Sequence, residues 1–298
     1  MSTTLDVVMP FYGDVSLMRE AVRSVLDQDD PRWRLTVVDD HVGPGADPSV
    51  PEWFESLDDE RVRYLRNPEN LGITGNFNRC LELAEHDLFT MLGCDDRMLP
   101  NYVGTVLAVW ADHPDAGLIQ PGVRVIDGAG RPTKTLVDEA KRRVYAPKFE
   151  GRLELSGEDL AVSLLRGDWL YFPSLAWRTK LLEGLRFRPE LRVIQDLALL
   201  MELVARDVTL VVDETVAFEY RRHGASESSS SAFDGSRFTE AGDYFADVAE
   251  QMAARGWPRA ARVARLHLSS RLFALTTLPR ALRQRSGFGP LARHVFGR

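Results

Sequence analysis

The chain has 298 residues, 44% hydrophobic and 27% charged, which is the make-up of a globular protein and excludes disordered, collagen-like and coiled-coil chains. Two cysteines, Cys80 and Cys94, are too few for a disulfide framework or a zinc cluster; with no apolar run of membrane-spanning length and no N-terminal signal pattern, a cytoplasmic location is expected. The net charge of −7 is uneven: residues 251–298 hold ten arginines and no acidic residue, which leaves 27 Lys/Arg against 44 Asp/Glu, a net of −17, in residues 1–250. Such an acidic body argues against nucleic acid as a partner, because nothing there replaces counterions along a phosphate backbone.

Leu5–Met9, closed by Pro10, reads as a buried strand, and the apolar spacing of Leu17, Met18, Ala21, Val22, Val25 and Leu26 predicts a helix over Val15–Leu26. Strands follow at Leu35–Val38 and Val62–Leu65, then a helix over Gly75–Ala84 and a fourth strand at Leu88–Leu92. Strands alternating with helices predict an α/β fold: a mostly parallel central sheet with helices on both faces. In such sheets ligands bind beyond the carboxyl ends of the strands. Those ends carry Pro10-Phe11-Tyr12, Asp39-Asp40 and Asp95-Asp96.

A helix over Tyr102–Asp112, a strand over Ala116–Gln120 and a turn at Asp127–Gly130 come next. Residues 131–160 are polar and poorly periodic, and are expected as a long loop. Trp169–Leu175 and Thr209–Val212 read as strands, with a helix over Asp196–Ala205 between them. Gly224–Ser236, with six serines from Ser226 onward, reads as a mobile loop, and from Phe238 the pattern is helical. This organisation divides the chain into a first half over 1–100, a second half over 101–236 and a basic helical extension over 237–298.

Asp95-Asp96 closes a buried strand, where two adjacent carboxylates are costly unless a cation or hydrogen-bond donors offset them. Hard oxygen ligands at an open site suit Mg2+ or Mn2+, which commonly hold phosphate groups as well. Solvated aspartates in a turn are the plainer reading of such a pair taken alone. A second pair, Asp39-Asp40, lies on the same sheet edge, and an aspartate there can accept a hydrogen bond from a base N–H or a ribose hydroxyl.

Five stretches in order resemble the inverting nucleotide-sugar glycosyltransferases of family 2, which have the GT-A fold. They are Val8-Met9-Pro10-Phe11-Tyr12, Val37-Val38-Asp39-Asp40, Asn70-Leu71-Gly72-Ile73 with Asn76 and Asn78, Leu92-Gly93-Cys94-Asp95-Asp96, and Gln195-Asp196. A sixth, Tyr220-Arg221-Arg222-His223 with Ser226 and Ser228, is similar to the family's Tyr-Arg-x-His loop. The resemblance implies that Pro10, Phe11 and Tyr12 flank the base and ribose and that Asp39 binds a uracil-type ring. It implies that Asn70 and Gly72 line the nucleotide pocket and that Asp95 contacts the ribose. Asp96 would ligate Mn2+ or Mg2+ on the diphosphate, with His223 as a further ligand, and Asp196 would be the general base. Asp196 also opens an apolar helix, where its carboxylate is placed to serve as N-cap. Two positions depart from the family pattern: Gly93 stands where many members have an aspartate, and Gln195 stands where a glutamate is usual.

The expected activity is transfer of a sugar from a UDP- or dTDP-sugar to an acceptor hydroxyl on a glycan, a lipid-linked sugar or a small molecule. A non-catalytic nucleotide-sugar binder and a sugar nucleotidyltransferase are the competing readings. The second lacks its Gly-rich, basic loop, since Phe11-Tyr12-Gly13-Asp14 stands there with no nearby lysine. No Gly-x-Gly-x-x-Gly follows the first strand, which disfavours a dehydrogenase. Cys94 reads as a small buried residue, whereas Trp169, Tyr171, Phe172 and Trp177 fit either a sugar-stacking face or the core. Residues 259–298, with nine arginines among leucines, fit either peripheral contact with a membrane surface or docking on the acidic body.

Overall fold

The computed structural model describes residues 3–43, 46–191, 194–222 and 236–275, with residues 291 and 294. Its nine strands are β1 Leu5–Phe11, β2 Trp33–Asp39, β3 Val62–Arg66, β4 Leu88–Met91, β5 Arg97–Met98, β6 Leu118–Asp127, β7 Arg152–Leu155, β8 Ala176–Arg178 and β9 Leu210–Arg222. They form one sheet in the order β3-β2-β1-β4-β8-β6-β9-β5, with β7 also paired to β9. β1 to β4 pair in parallel, β8 runs antiparallel to both β4 and β6, and β6 is parallel to β9. The two reversals at β8 cancel, so six of the nine strands (β1 to β4, β6 and β9) end on the same edge.

The helices are α1 Val15–Leu26, α2 Ser49–Glu55, α3 Gly72–Glu82, α4 Tyr102–Asp112, α5 Leu136–Ala140, α6 Gly157–Arg166, α7 Gln195–Val204, α8 Ser236–Ala254 and α9 Pro258–Leu266; a π-helical turn, Lys141–Tyr145, continues α5. Alternation along the strands sends side chains into two cores. Leu5, Val7, Met9 and Phe11 of β1 join Leu35 and Val37 under α1, α2 and α4. Val8, Val38, Phe89, Met91 and Leu118 face the other way, into a core closed by α3, α6, α7, α8 and α9. A parallel sheet covered on both faces needs near-continuous apolar strands, which is what β1 and β4 supply.

α1 spans the residues its periodicity predicts, because the Asp14 side chain accepts from the N–H groups of Ser16 and Leu17 and so fixes the first turn. Residues 131–160 are not a loop. They hold α5, its π-helical continuation, β7 on β9, and the start of α6, whose Leu160, Ala161, Leu164 and Leu165 are buried. The loop expectation failed because short elements pinned by tertiary contacts carry little periodicity.

Trp169–Leu175 is not a strand: the Leu170 N–H turns back to Asp168 Oδ1, Tyr171 N–H bonds Gln120 Oε1, and a 3-10 turn at Phe172–Ser174 follows. Pro173 lacks an N–H for a ladder, so the strand waits until Ala176. The strand expected over Ala116–Gln120 instead runs to Asp127. It crosses Pro121-Gly122 with shifts of register, at a point where a Cβ on Gly122 would stand 2.7 Å from the Glu214 carbonyl oxygen.

Candidate active site

Because their strands run the same way, Phe11, Asp39, the turn after Met91 and the Tyr220–Arg222 end of β9 meet on one sheet edge. Asp39 is buried there, and its carboxylate is already well supplied with donors. Tyr64 Oη donates to Oδ2 at 2.5 Å, and Arg66 Nε and Nη2 donate to the same oxygen at 3.1 and 3.0 Å. The His41 backbone N–H donates to Oδ1 at 2.9 Å, with His41 Nδ1 3.1 Å from that oxygen. Sequence reasoning missed Tyr64, Arg66 and His41. The signal lies in the register, which sets Arg66 beside Asp39, with Tyr64 two residues back on the same face of β3.

Tyr12 stacks on the His41 ring at 4.4 Å with 12° between planes and is 65% exposed, so it offers a flat aromatic face at the edge of the cleft. Pro10 lies within β1 opposite Val38, and Phe11 is core rather than cleft lining. Asp40, to which no role was given, is the hub of the neighbouring loop. Its Oδ1 accepts from Asn67 Nδ2 at 2.8 Å and from the Leu71 N–H at 2.9 Å, and its carbonyl accepts from Asn70 Nδ2 at 3.0 Å. Asn70 Oδ1 in turn accepts from the Gly72 N–H, where φ of +68° favours glycine. Asn70 and Gly72 thus shape the loop that leads into α3.

Asp95 and Asp96 fold back over Gly93. A Cβ at Gly93 would stand 2.5 Å from Asp96 Oδ2 and 3.3 Å from Asp95 Oδ1, so the aspartate usual at this position in the family cannot fit unless these carboxylates move. Asp96 is buried, and Oδ1 accepts from the Arg221 N–H at 2.8 Å. Burial, and then the charge of Asp95, push its carboxyl well above the usual carboxylate range, against the opposing pull of Arg221 and Arg222. A buried acid beside a second acid is the donor set that a hard divalent cation relieves, with phosphate oxygens and water to complete its shell. Among the described residues no group of three or more His, Cys, Asp or Glu could hold a metal ion, so Asp95 and Asp96 stand as a pair. His223 lies outside the described residues. Burial and then Asp95 push the Cys94 thiol up to about 12, which removes it as a nucleophile.

Asp196 is the second residue of α7, not its cap; Ile194 holds the cap position, and Asp196 Oδ1 accepts from the Leu197 N–H at 2.9 Å. The first turn of α7 is braced from two sides. Thr74 Oγ1 of α3 donates to Gln195 Oε1 at 3.3 Å, and the Ile194 N–H donates to Glu240 Oε1 of α8 at 3.4 Å. Tyr220 ties this end of the cleft to the other: after burial, the charges of Asp96, Asp95 and Asp196 all raise its phenol, against Arg222. The two aspartates of the turn and the expected base are thus all near enough to Tyr220 for their charges to act on it.

A further carboxylate, Asp168, was not foreseen. Burial pushes it up to about 6, with Lys141 pulling down and Asp196 pushing up. Its loop is clamped by the π-helical turn: the Tyr145 ring lies where a Gly167 Cβ would be, and Lys141 Nζ donates to the Leu170 carbonyl at 3.1 Å. Asp138 ties the same element to β9 by accepting from Arg222 at 2.8 and 3.2 Å and from Tyr171 Oη at 3.1 Å. Of the four aromatics with two readings, Trp169 and Trp177 are core, whereas Tyr171 is half-buried against Tyr220 at 5.1 Å.

Comparison with known proteins agrees with this architecture. Residues 6–170, more than half of the chain, match the family described as Glycosyl transferase family 2. A relative named uncharacterized protein MT1568, from Mycobacterium tuberculosis, is 25% identical over 74% of this chain and 68% of its own length. The Campylobacter jejuni GalNAc(5)-diNAcBac-PP-undecaprenol beta-1,3-glucosyltransferase is 29% identical over 35% of this chain and 33% of its own. The fold is shared with residues 1–349 of Staphylococcus aureus TarS in complex with UDP-GlcNAc, with a TM-score of 0.71 and 15% identity over 98% of this chain and 81% of that one. The chain belongs to glycosyl transferase family 2 and is a glycosyltransferase with the GT-A fold.

Proposed function

We propose that the chain transfers a sugar from a UDP- or dTDP-sugar to an acceptor hydroxyl with inversion at the anomeric carbon. The observation that carries this reading is the strand order, which brings Asp39, the Asp95-Asp96 turn and Tyr220 to one sheet edge, with Asp196 near enough for its charge to act on Tyr220. A single displacement needs the base and the leaving group on opposite faces of the sugar, the roles this reading gives to Asp196 and to the diphosphate held near Asp95 and Asp96. Asp196 accepts the proton of the acceptor hydroxyl as its oxygen bonds to the anomeric carbon. The bond from that carbon to the diphosphate oxygen breaks, and the electron pair leaves with the diphosphate. A base so placed contributes on the order of 10²- to 10⁴-fold in rate.

Asp96, with Asp95 beside it, would hold Mn2+ or Mg2+, which when bound offsets charge on the diphosphate. Tyr12 supplies a stacking face for the base, and Asp39 offers carboxylate oxygens if one of its present donors gives way. On this reading residues 1–100 bind the donor, and residues 101–236 supply the base and the acceptor side. The extension 237–298 braces α7 through Glu240. Products fitting the reading are cell-surface glycans, glycolipids or glycosylated small molecules. The two free cysteines and a nucleotide-sugar donor fit a cytoplasmic enzyme, with residues 259–298 as one route to the membrane face.

Thermal melting with UDP, dTDP and GDP, each with and without Mn2+, tests the donor site. A nucleotide at about 100 times its dissociation constant adds roughly 2.7 kcal/mol, a shift of several degrees. The expected result is a shift with a pyrimidine diphosphate that needs Mn2+ and is lost in Asp96→Asn. No shift with any nucleotide overturns the donor pocket. Asp196→Asn is expected to keep the shift and lose transfer; full activity in that variant overturns the base assignment.

A further inference from the structure

Residues 134–148 carry an outward apolar face on the acceptor side. Leu136 is 92% exposed, Val144 71% and Val137 51%, and the first two are the most exposed large hydrophobic side chains among the described residues. The opposite face of the same element turns inward. Asp138 and Lys141 bond Arg222 and the Leu170 carbonyl, and Tyr145, four residues on from Lys141, packs its ring against Gly167. The element is thus anchored beside Tyr171 and Asp168 while its other side presents apolar side chains to solvent, at a cost in water unless something covers them.

Charge indicates what covers them. Residues 131–150 hold six basic and three acidic side chains, a net of +3 in a body whose first 250 residues carry −17. Lys134, Arg142, Arg143 and Lys148, in the same segment as the apolar side chains, are all exposed. Glu139 pairs with Arg142 and Arg143 at 2.7 Å each, but these pairs are solvent-facing and weak, so the arginines can turn to another anion. Exposed apolar side chains interspersed in sequence with exposed arginine and lysine are the pattern that sits at the headgroup level of an anionic bilayer.

We propose that residues 134–148 dock on an anionic lipid surface, which sets the acceptor end of the cleft against the membrane. The docking stands on this surface alone. That it delivers a lipid-borne acceptor hydroxyl to Asp196 rests on the function proposed above, and agrees with the undecaprenol-linked glycan in the name of the Campylobacter relative.

Flotation with vesicles of phosphatidylcholine, alone or with about 30% phosphatidylglycerol, tests the docking. The wild type is expected to float with the anionic vesicles and not with the neutral ones, and to be released by salt. The triple variant Leu136→Ser, Val137→Ser, Val144→Ser is expected to bind at least about tenfold less, and Lys134→Glu with Lys148→Glu similarly less. No binding by the wild type, equal binding to neutral vesicles, or undiminished binding by the triple variant overturns the proposal. The last outcome moves the contact to another surface, such as Leu268 and Leu272 near the C-terminus. A dimer that the triple variant dissociates also overturns it, since the face would then join two copies of the chain. The UDP-dependent melting shift, measured on the same variants, is expected to stay unchanged. It reports the donor site separately, so failure of the docking and failure of the transferase reading are told apart.

Discussion

The backbone N–H of Arg221 donates to Asp96 Oδ1 at 2.8 Å, while its guanidinium Nε donates to the Asp95 carbonyl at 2.6 Å. These two bonds join residues more than 120 positions apart in sequence and lock the end of β9 to the aspartate turn. The guanidinium Nη2 also reaches Glu20 of α1 at 2.7 Å, so one arginine holds three elements at the cleft. Its side chain is buried, and its charge works against the cost of burying Asp96.

Asp96→Asn is expected to melt higher than the wild type without ligand at pH 7. A carboxyl whose folded pKa lies above its unfolded value binds its proton more tightly when folded. Stability therefore falls as pH rises from about 4 through the raised folded value, and levels off above it. Asparagine removes that loss and still accepts from the Arg221 N–H. Melting curves from pH 4 to 8 check the sign, at about 2–4 °C per kcal/mol in somewhat smaller proteins. A variant that melts lower throughout contradicts the account.

Gly93→Ala is expected to displace Asp96, because the new Cβ would stand 2.5 Å from Oδ2. Strain of this kind costs on the order of 1–3 kcal/mol. The Mn2+-dependent part of the UDP melting shift should weaken as well. Isothermal titration of Mn2+ in the presence of UDP measures the second effect separately from the fold.

Asp168→Asn is expected to move the acid limb of the kcat/KM profile to lower pH. Asp168, pushed up to about 6, ionises near neutral pH, and its negative charge holds the proton more tightly on Asp196. A neutral side chain there lowers the basicity of Asp196, so the limb shifts down and the maximal rate falls severalfold. Initial rates from pH 5 to 9 decide it; an unmoved limb separates Asp168 from the base.

The Tyr244 hydroxyl is buried, with no hydrogen-bond partner among the described residues, close enough to Asp196 and Asp168 for their charges to act on it. Tyr244→Phe keeps the edge contact with Phe245 and removes an unsatisfied group, so stability should hold or rise by about 1 kcal/mol. Urea unfolding checks this. A loss of more than 1 kcal/mol would mean that the hydroxyl is satisfied in solution.

What the sequence by itself determined is local. The α1 boundaries follow from apolar spacing, the alternation of strands and helices predicts the two-faced sheet, and the ordered motifs carry the family, all within short windows. What only the tertiary structure decided is how distant segments meet. The donors on Asp39 come from β3, the lock on Asp96 from β9, and the braces on α7 from α3 and α8. Asp168 and Asp138 sat in stretches with no readable period, because their positions are fixed by Lys141, Arg222 and Tyr171 rather than by neighbours in sequence. Periodicity reports which face of an element is buried. It carries no information on which charge stands across the cleft, and that charge sets whether a carboxylate is a cap, a ligand or a base.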